Sequence, residues 1–148
     1  MAFLVDTNVL LRLAISTHPF HLATRRAIKP LRDRGESISA STQNFIEAWN
    51  VATRPLDRNG FGLSPSQADR LLRQLETAFP RLSEPADTYD RWRELVVRFG
   101  VSGVQVHDAR LVAVMLCNGV SSILTFNTRD FERYAEIGIE AVDPRSVG

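Results

Sequence analysis

Apolar positions along this chain follow two alternating patterns: short unbroken runs, and longer stretches in which they recur every three or four positions. The short runs at 3–5, 37–40, 79–82, 122–125 and 139–142 read as five strands. The longer stretches between them read as helices, the arrangement of an α/β domain with a parallel sheet. Helices are expected over 7–15, over 21–34 with a kink at Pro30, and over 42–52, the last stopped by the Arg54-Pro55 pair. Ser64-Pro65-Ser66-Gln67 has capping-box spacing with proline at the first helical position, so a fourth helix should run from there to about residue 78. Further helices are expected over 87–99, 107–118 with Gly119 as terminator, and 128–135. Loops should fall at 53–63 and 100–105.

The chain has 148 residues, and its 44% hydrophobic and 24% charged composition is that of a folded globular domain. A single domain over 1–148 is expected. The net charge of +1 favours no partner, and the sole lysine, Lys29, leaves arginine as the cation almost everywhere. Cys117 is the only cysteine, which excludes an intrachain disulfide. No stretch has the make-up of a leader or of a membrane span, so a cytoplasmic protein is expected, without a membrane partner.

Polar residues interrupt the apolar pattern where strands end. Asp6-Thr7-Asn8 follows the first run, Glu47 lies in the helix after the second, Asp108 opens a helix leading to the fourth, and Asn127 and Asp130 follow that run's end. In open parallel sheets function gathers at the carboxyl ends of the strands, above all where the strand order reverses. Each residue has a plain structural alternative: Asp6 and Asp108 as helix N-caps, Glu47 as a solvated helix position, Asp130 as a first-turn acid facing the helix dipole. Jointly they matter more, because carboxylates brought together repel unless a cation lies among them. An all-oxygen set suits Mg²⁺ or Mn²⁺ rather than zinc. Such an ion is suited to phosphodiester hydrolysis.

Four stretches, LVDTNVLLRL, SASTQNFIEAWNVATRP, VQVHDARLVAVML and ILTFNTRDFERY, resemble the motif blocks of the PIN-domain family, in family order, and most closely its VapC-type toxins. The resemblance implies a single PIN-like domain with a five-stranded parallel sheet of order 3-2-1-4-5 flanked by helices. It also implies a Mg²⁺- or Mn²⁺-dependent endoribonuclease, the toxin of a type II toxin-antitoxin pair, silenced by a cognate antitoxin and forming a homodimer. Asp6, Glu47 and Asp108 match the family's three acids and implied metal ligands. Asn8 matches its supporting amide and Thr125 its hydroxyl. Asn127 stands where many members carry a fourth acid, and Asp130 is positioned to supply that charge instead. Thr7 and Asn8 are expected to hold the Asp6 carboxylate by hydrogen bonds. Arg12, Arg110 and Arg129 flank the motifs and are candidates for RNA phosphate contact.

Three other readings compete: a PIN-fold binding module with weakened chemistry, a housekeeping RNA-processing nuclease on the same fold, and an acid-pocket phosphotransfer domain. A phosphotransfer domain would want an acid two residues beyond its nucleophilic Asp, or a late lysine, and this chain has neither.

Overall fold

The computed structural model describes residues 1–147. Four parallel strands, β1 (Ala2–Val5), β2 (Ser37–Ser39), β3 (Ser122–Leu124) and β4 (Glu140–Val142), form a sheet of order β2-β1-β3-β4. Among the described residues six α-helices surround it: α1 (Thr7–Ala14), α2 (His21–Asp33), α3 (Thr42–Thr53), α4 (Pro65–Ala78), α5 (Thr88–Arg98) and α6 (Val106–Cys117).

Both faces of the sheet are buried, and the two-residue period of a strand sorts its side chains between two cores. Phe3, Val5 and Leu124 face a cluster with Val9, Leu10, Ile28, Leu31, Phe45 and Phe79, contributed by α1 to α3 and the end of α4. Leu4 and Ile123 face the other, with Leu95, Leu111, Val112, Met115, Phe131 and Tyr134 from α5, α6 and the segment after β3. Continuous apolar runs rather than alternating ones are therefore what the sequence shows at these strands.

The expected fifth strand at 79–82 is corrected: among the described residues the sheet has four strands, in the order 2-1-4-5 expected of the others, without the outermost strand of 3-2-1-4-5. The segment makes one isolated parallel bridge, Ala40 with Arg81, through Ala40 N–H to Pro80 O at 3.0 Å and Leu82 N–H to Ala40 O at 2.8 Å. Phe79 is spent closing α4, its N–H bonded to Leu75 O. Pro80 has no N–H to donate, so the ladder cannot lengthen on that side. The expected helix over 128–135 is a 3₁₀ run over Thr128–Ile137, ended by Gly138 at φ +86°. Short 3₁₀ turns occupy part of both expected loops, at Leu56–Arg58 and Gly103–Gln105. Helix α2 continues through Pro30, which lies one turn from its end. In the 53–63 loop, a Cβ on Gly60 would fall 1.9 Å from the Arg54 carbonyl oxygen, so only glycine fits there.

The capping box at Ser64 forms as expected, with Ser64 and Gln67 exchanging side-chain and backbone bonds. The topology places β1 centrally, with β2 on one side and β3 on the other. The crevice beyond the carboxyl ends of β1 and β3 is thus the point at which strand order reverses.

Candidate active site

Asp6 leaves β1 into this crevice and is the N-cap residue of α1. It is buried, and both carboxylate oxygens are engaged: Thr7 N–H donates to Oδ1 at 2.7 Å, and the Thr125 hydroxyl donates to Oδ2 at 2.8 Å. Thr125, fully buried just past β3, has no spare capacity. Its one hydrogen goes to Asp6, and its oxygen accepts from Asn127 N–H at 3.0 Å and from Asn8 Nδ2 at 3.4 Å. Asn8 closes the ring by accepting from Phe126 N–H at 3.3 Å. The expectation that Asn8 binds Asp6 directly is thereby corrected: Asn8 ties the β3 exit to α1 and supports Asp6 through Thr125.

The Thr7 hydroxyl is also redirected. It donates to Glu47 Oε2 at 2.7 Å, not to Asp6. Its direction is fixed because Asn44 Nδ2 donates to the same oxygen at 3.1 Å, leaving the hydroxyl hydrogen for Glu47. Asn44 is fully buried and in turn oriented by Ser41, whose N–H and hydroxyl both donate to Asn44 Oδ1. The other Glu47 oxygen accepts from Gln43 Nε2 at 2.9 Å. One residue, Thr7, therefore fixes two acids of different elements: Asp6 by its backbone, Glu47 by its side chain.

Replacing Thr7 by Val should leave the buried Asn44 amide and Glu47 each short of one partner. It should cost about 1–3 kcal/mol of unfolding free energy. Thr7→Ser should recover most of it in urea denaturation. Equal losses in both variants would assign the effect to the methyl group and not to the hydrogen bonds.

Asp108 and Asp130 differ from this fixed pair. Among the described residues no group donates a hydrogen bond to either carboxylate, and both are partly buried. Charge links all four. Burial pushes the Asp108 carboxyl up to about 7, with Asp6, Asp130 and Glu47 adding to the rise and Arg133 opposing it. Burial pushes Asp6 up to about 6, against the two hydrogen bonds it accepts, with Glu47 and Asp130 again adding. Asp130 is thus within electrostatic reach of the other acids. Asn127 enters the site through its backbone N–H and has an exposed side chain.

Among the described residues no three His, Cys, Asp or Glu side chains converge tightly enough to grip an ion as they stand. The donor chemistry nonetheless fits a hard divalent cation, since the groups that raise one another's pKa are all carboxylates.

Of the three candidate RNA-contacting arginines, Arg110 is bound by Glu84 at 2.7 and 3.0 Å and by Gln43 Oε1 at 3.2 Å. Arg12 is partly buried on α1, and Arg129 is exposed. Neither forms an ion pair with a described residue. Sequence reasoning missed Asn44, Gln43 and Arg133. Signals for the first two existed: Ser41-x-x-Asn44 is a capping pattern with asparagine at its fourth position, and Gln43 precedes Glu47 by one helical turn.

The chain belongs to the PIN domain family, whose model matches residues 3–137. No curated protein matches it significantly in sequence. Among solved structures it is similar to VapBC-1 from nontypeable Haemophilus influenzae, at 18% identity and TM-score 0.67 over 97% of this chain and 98% of that one. It is also similar to VapBC2 from Rickettsia felis bound to a promoter DNA fragment, at 14% identity and TM-score 0.70 over 97% and 100% of the two chains. A third is VapC20 of Mycobacterium tuberculosis, a sarcin-ricin loop cleaving toxin, at 17% identity and TM-score 0.60 over 93% and 97%. At these identities the likeness establishes the fold.

Proposed function

We propose that the protein is a divalent-metal-dependent endoribonuclease that acts as the toxin of a toxin-antitoxin pair. The observation that carries this reading is the electrostatic convergence of Asp6, Glu47, Asp108 and Asp130 at the switch point of the sheet, where burial and the neighbouring acids push the Asp6 and Asp108 carboxyls up to about 6 and about 7. Membership of the PIN domain family and the toxin-antitoxin identity of the similar structures support it.

Asp6, Asp108 and Glu47 are the proposed ligands. Mg²⁺ or Mn²⁺ bound there would lower the pKa of a water and offset the charge that grows on the phosphodiester. Asp6 and Glu47 are pre-set by Thr7, Thr125 and Gln43, while Asp108 and Asp130, with no hydrogen bonds to break, are able to turn toward the ion. Asp130 supplies the fourth charge, and Asn127 offers an amide at the rim. Arg133, which already acts on Asp108, and the exposed Arg129 are the proposed contacts to the RNA backbone. An antitoxin, a second copy of the chain and a cytoplasmic setting belong to the same reading; no helix among the described residues is long and apolar enough to cross a membrane.

Incubating the purified protein with single-stranded RNA should give cleavage that requires Mg²⁺ or Mn²⁺, stops with EDTA and leaves 5′-phosphate ends. Cleavage unaffected by EDTA, or none with any divalent ion, would refute the proposal.

A further inference from the structure

A cavity of about 700 Å³ opens between the start of α5 and the start of α6, outside the acid cluster, with His107, the residue before Asp108, in its lining. Its volume is that of a small-ligand site. One side is aromatic. The Trp92 indole is fixed by donating from Nε1 to Val106 O at 2.8 Å, and the Tyr89 ring lies 5.7 Å from it at 30°. Tyr89 is 62% exposed although it packs beside the cavity, so an aromatic face is offered to solvent with its neighbour already immobilised.

The cavity's other side is polar, lined by His107 and by Arg110, whose charge is already met by the lining Glu84. Arg93 brings a guanidinium 5.9 Å from the Tyr89 ring centroid. Gln43 links this corner to the reaction centre: it accepts from Arg110, and its Nε2 donates both to Glu47 Oε1 and to His107 O, each at 2.9 Å. The cavity and the Glu47 carboxylate are therefore joined through one side chain.

We infer that this cavity is a nucleobase subsite, which receives an unstacked base of single-stranded RNA next to the phosphodiester being cut. The inference rests on the ribonuclease reading. Stacking on a fixed indole and an exposed phenol suits any base, and the Arg93 guanidinium beside Tyr89 suits a flanking phosphate. Base-paired RNA keeps its bases stacked and unavailable, so the subsite makes the enzyme prefer loops and single strands. The second copy of the chain and an apolar anchor of a protein partner are the alternative occupants of such a face.

The test is binding of a mixed-sequence hexaribonucleotide in EDTA, followed by fluorescence anisotropy, with wild type, Tyr89→Ala and Trp92→Leu. Light scattering and thermal melting are run on all three. Tyr89 is exposed, so its variant folds even if Trp92→Leu does not. The expected result is a loss of affinity of about tenfold in Tyr89→Ala, little change for the same sequence as a duplex, unchanged oligomeric mass, and a KM for RNA cleavage raised at near-constant kcat. Unchanged hexamer affinity in Tyr89→Ala overturns the subsite, as does failure of the wild type to bind it. A fall in oligomeric mass with RNA affinity intact also overturns it, assigning the face to a second copy. Failure of the ribonuclease reading would show separately, as absence of metal-dependent cleavage by the wild type.

Discussion

Asp6→Asn is expected to lower the rate of RNA cleavage by roughly a thousandfold, about 4 kcal/mol of transition-state stabilisation, while the protein stays folded. The substitution keeps the shape and one oxygen. Oδ1 and Oδ2 accept from Thr7 N–H and the Thr125 hydroxyl, and an amide can keep one of these bonds through its oxygen. What it removes is the negative charge nearest the exit of β1, which an ion would need. Because Asp6 is buried within electrostatic reach of Glu47 and Asp130, neutralising it also relieves repulsion, which offsets the hydrogen bond the amide gives up, so metal-free stability should stay near that of the wild type. A large loss of activity at little changed stability would distinguish a chemical role from a structural one. A variant that melts early and loses activity in proportion would instead make Asp6 a structural cap.

The second large effect is on the pH dependence of stability without metal. Asp6 and Asp108 have folded pKa values of about 6 and about 7, above the unfolded 3.8. Between those limits the folded protein binds more protons than the unfolded chain, so stability falls as pH rises and levels off above about pH 7. Asp143 acts in the opposite sense, since its salt bridge with Arg145 lowers its pKa, but its contribution is already complete at pH 5. His18, lowered by burial and by Arg12, offsets part of the fall. Asp108 is only partly buried, and water screens some of its effect. The net loss from pH 5 to pH 8 should be roughly 2 kcal/mol, or about 5 °C in melting temperature for a chain of this size. With Mn²⁺ present the slope should reverse, because binding requires the deprotonated acids. A melting temperature in EDTA that rises from pH 5 to pH 8 would contradict the convergence of these acids.

The parts of this structure legible in the sequence are those set by local chemistry. The Ser64 capping box, Gly119 closing α6 at φ +67° and the apolar runs at 3–5 and 122–125 all carry their signal within a few residues. The segment at 79–82 misled because its apolar pattern is real, but Phe79 faces the core at the end of α4 and Pro80 lacks a donor, so apolar character there reflects burial and not pairing. At the site, Asp6, Glu47 and Asp108 stood out as acids beside apolar runs. Their supports did not, because hydrogen bonds such as Asn44 to Thr7 join positions 37 apart in sequence. Arg133 was hidden for a related reason: its effect on Asp108 arises only when the 3₁₀ run packs against α6.

The claim on which the account turns is that these acids form one site for a divalent ion. Its most direct test is the melting temperature of wild type and Asp108→Asn at pH 7.5, in EDTA and in Mn²⁺ at about a hundred times its dissociation constant. The wild type should gain about 2.7 kcal/mol from the ion, a rise of roughly 8 °C. The variant should start higher in EDTA and lose most of that gain. An equal Mn²⁺ response in both proteins, or none in the wild type, would contradict it.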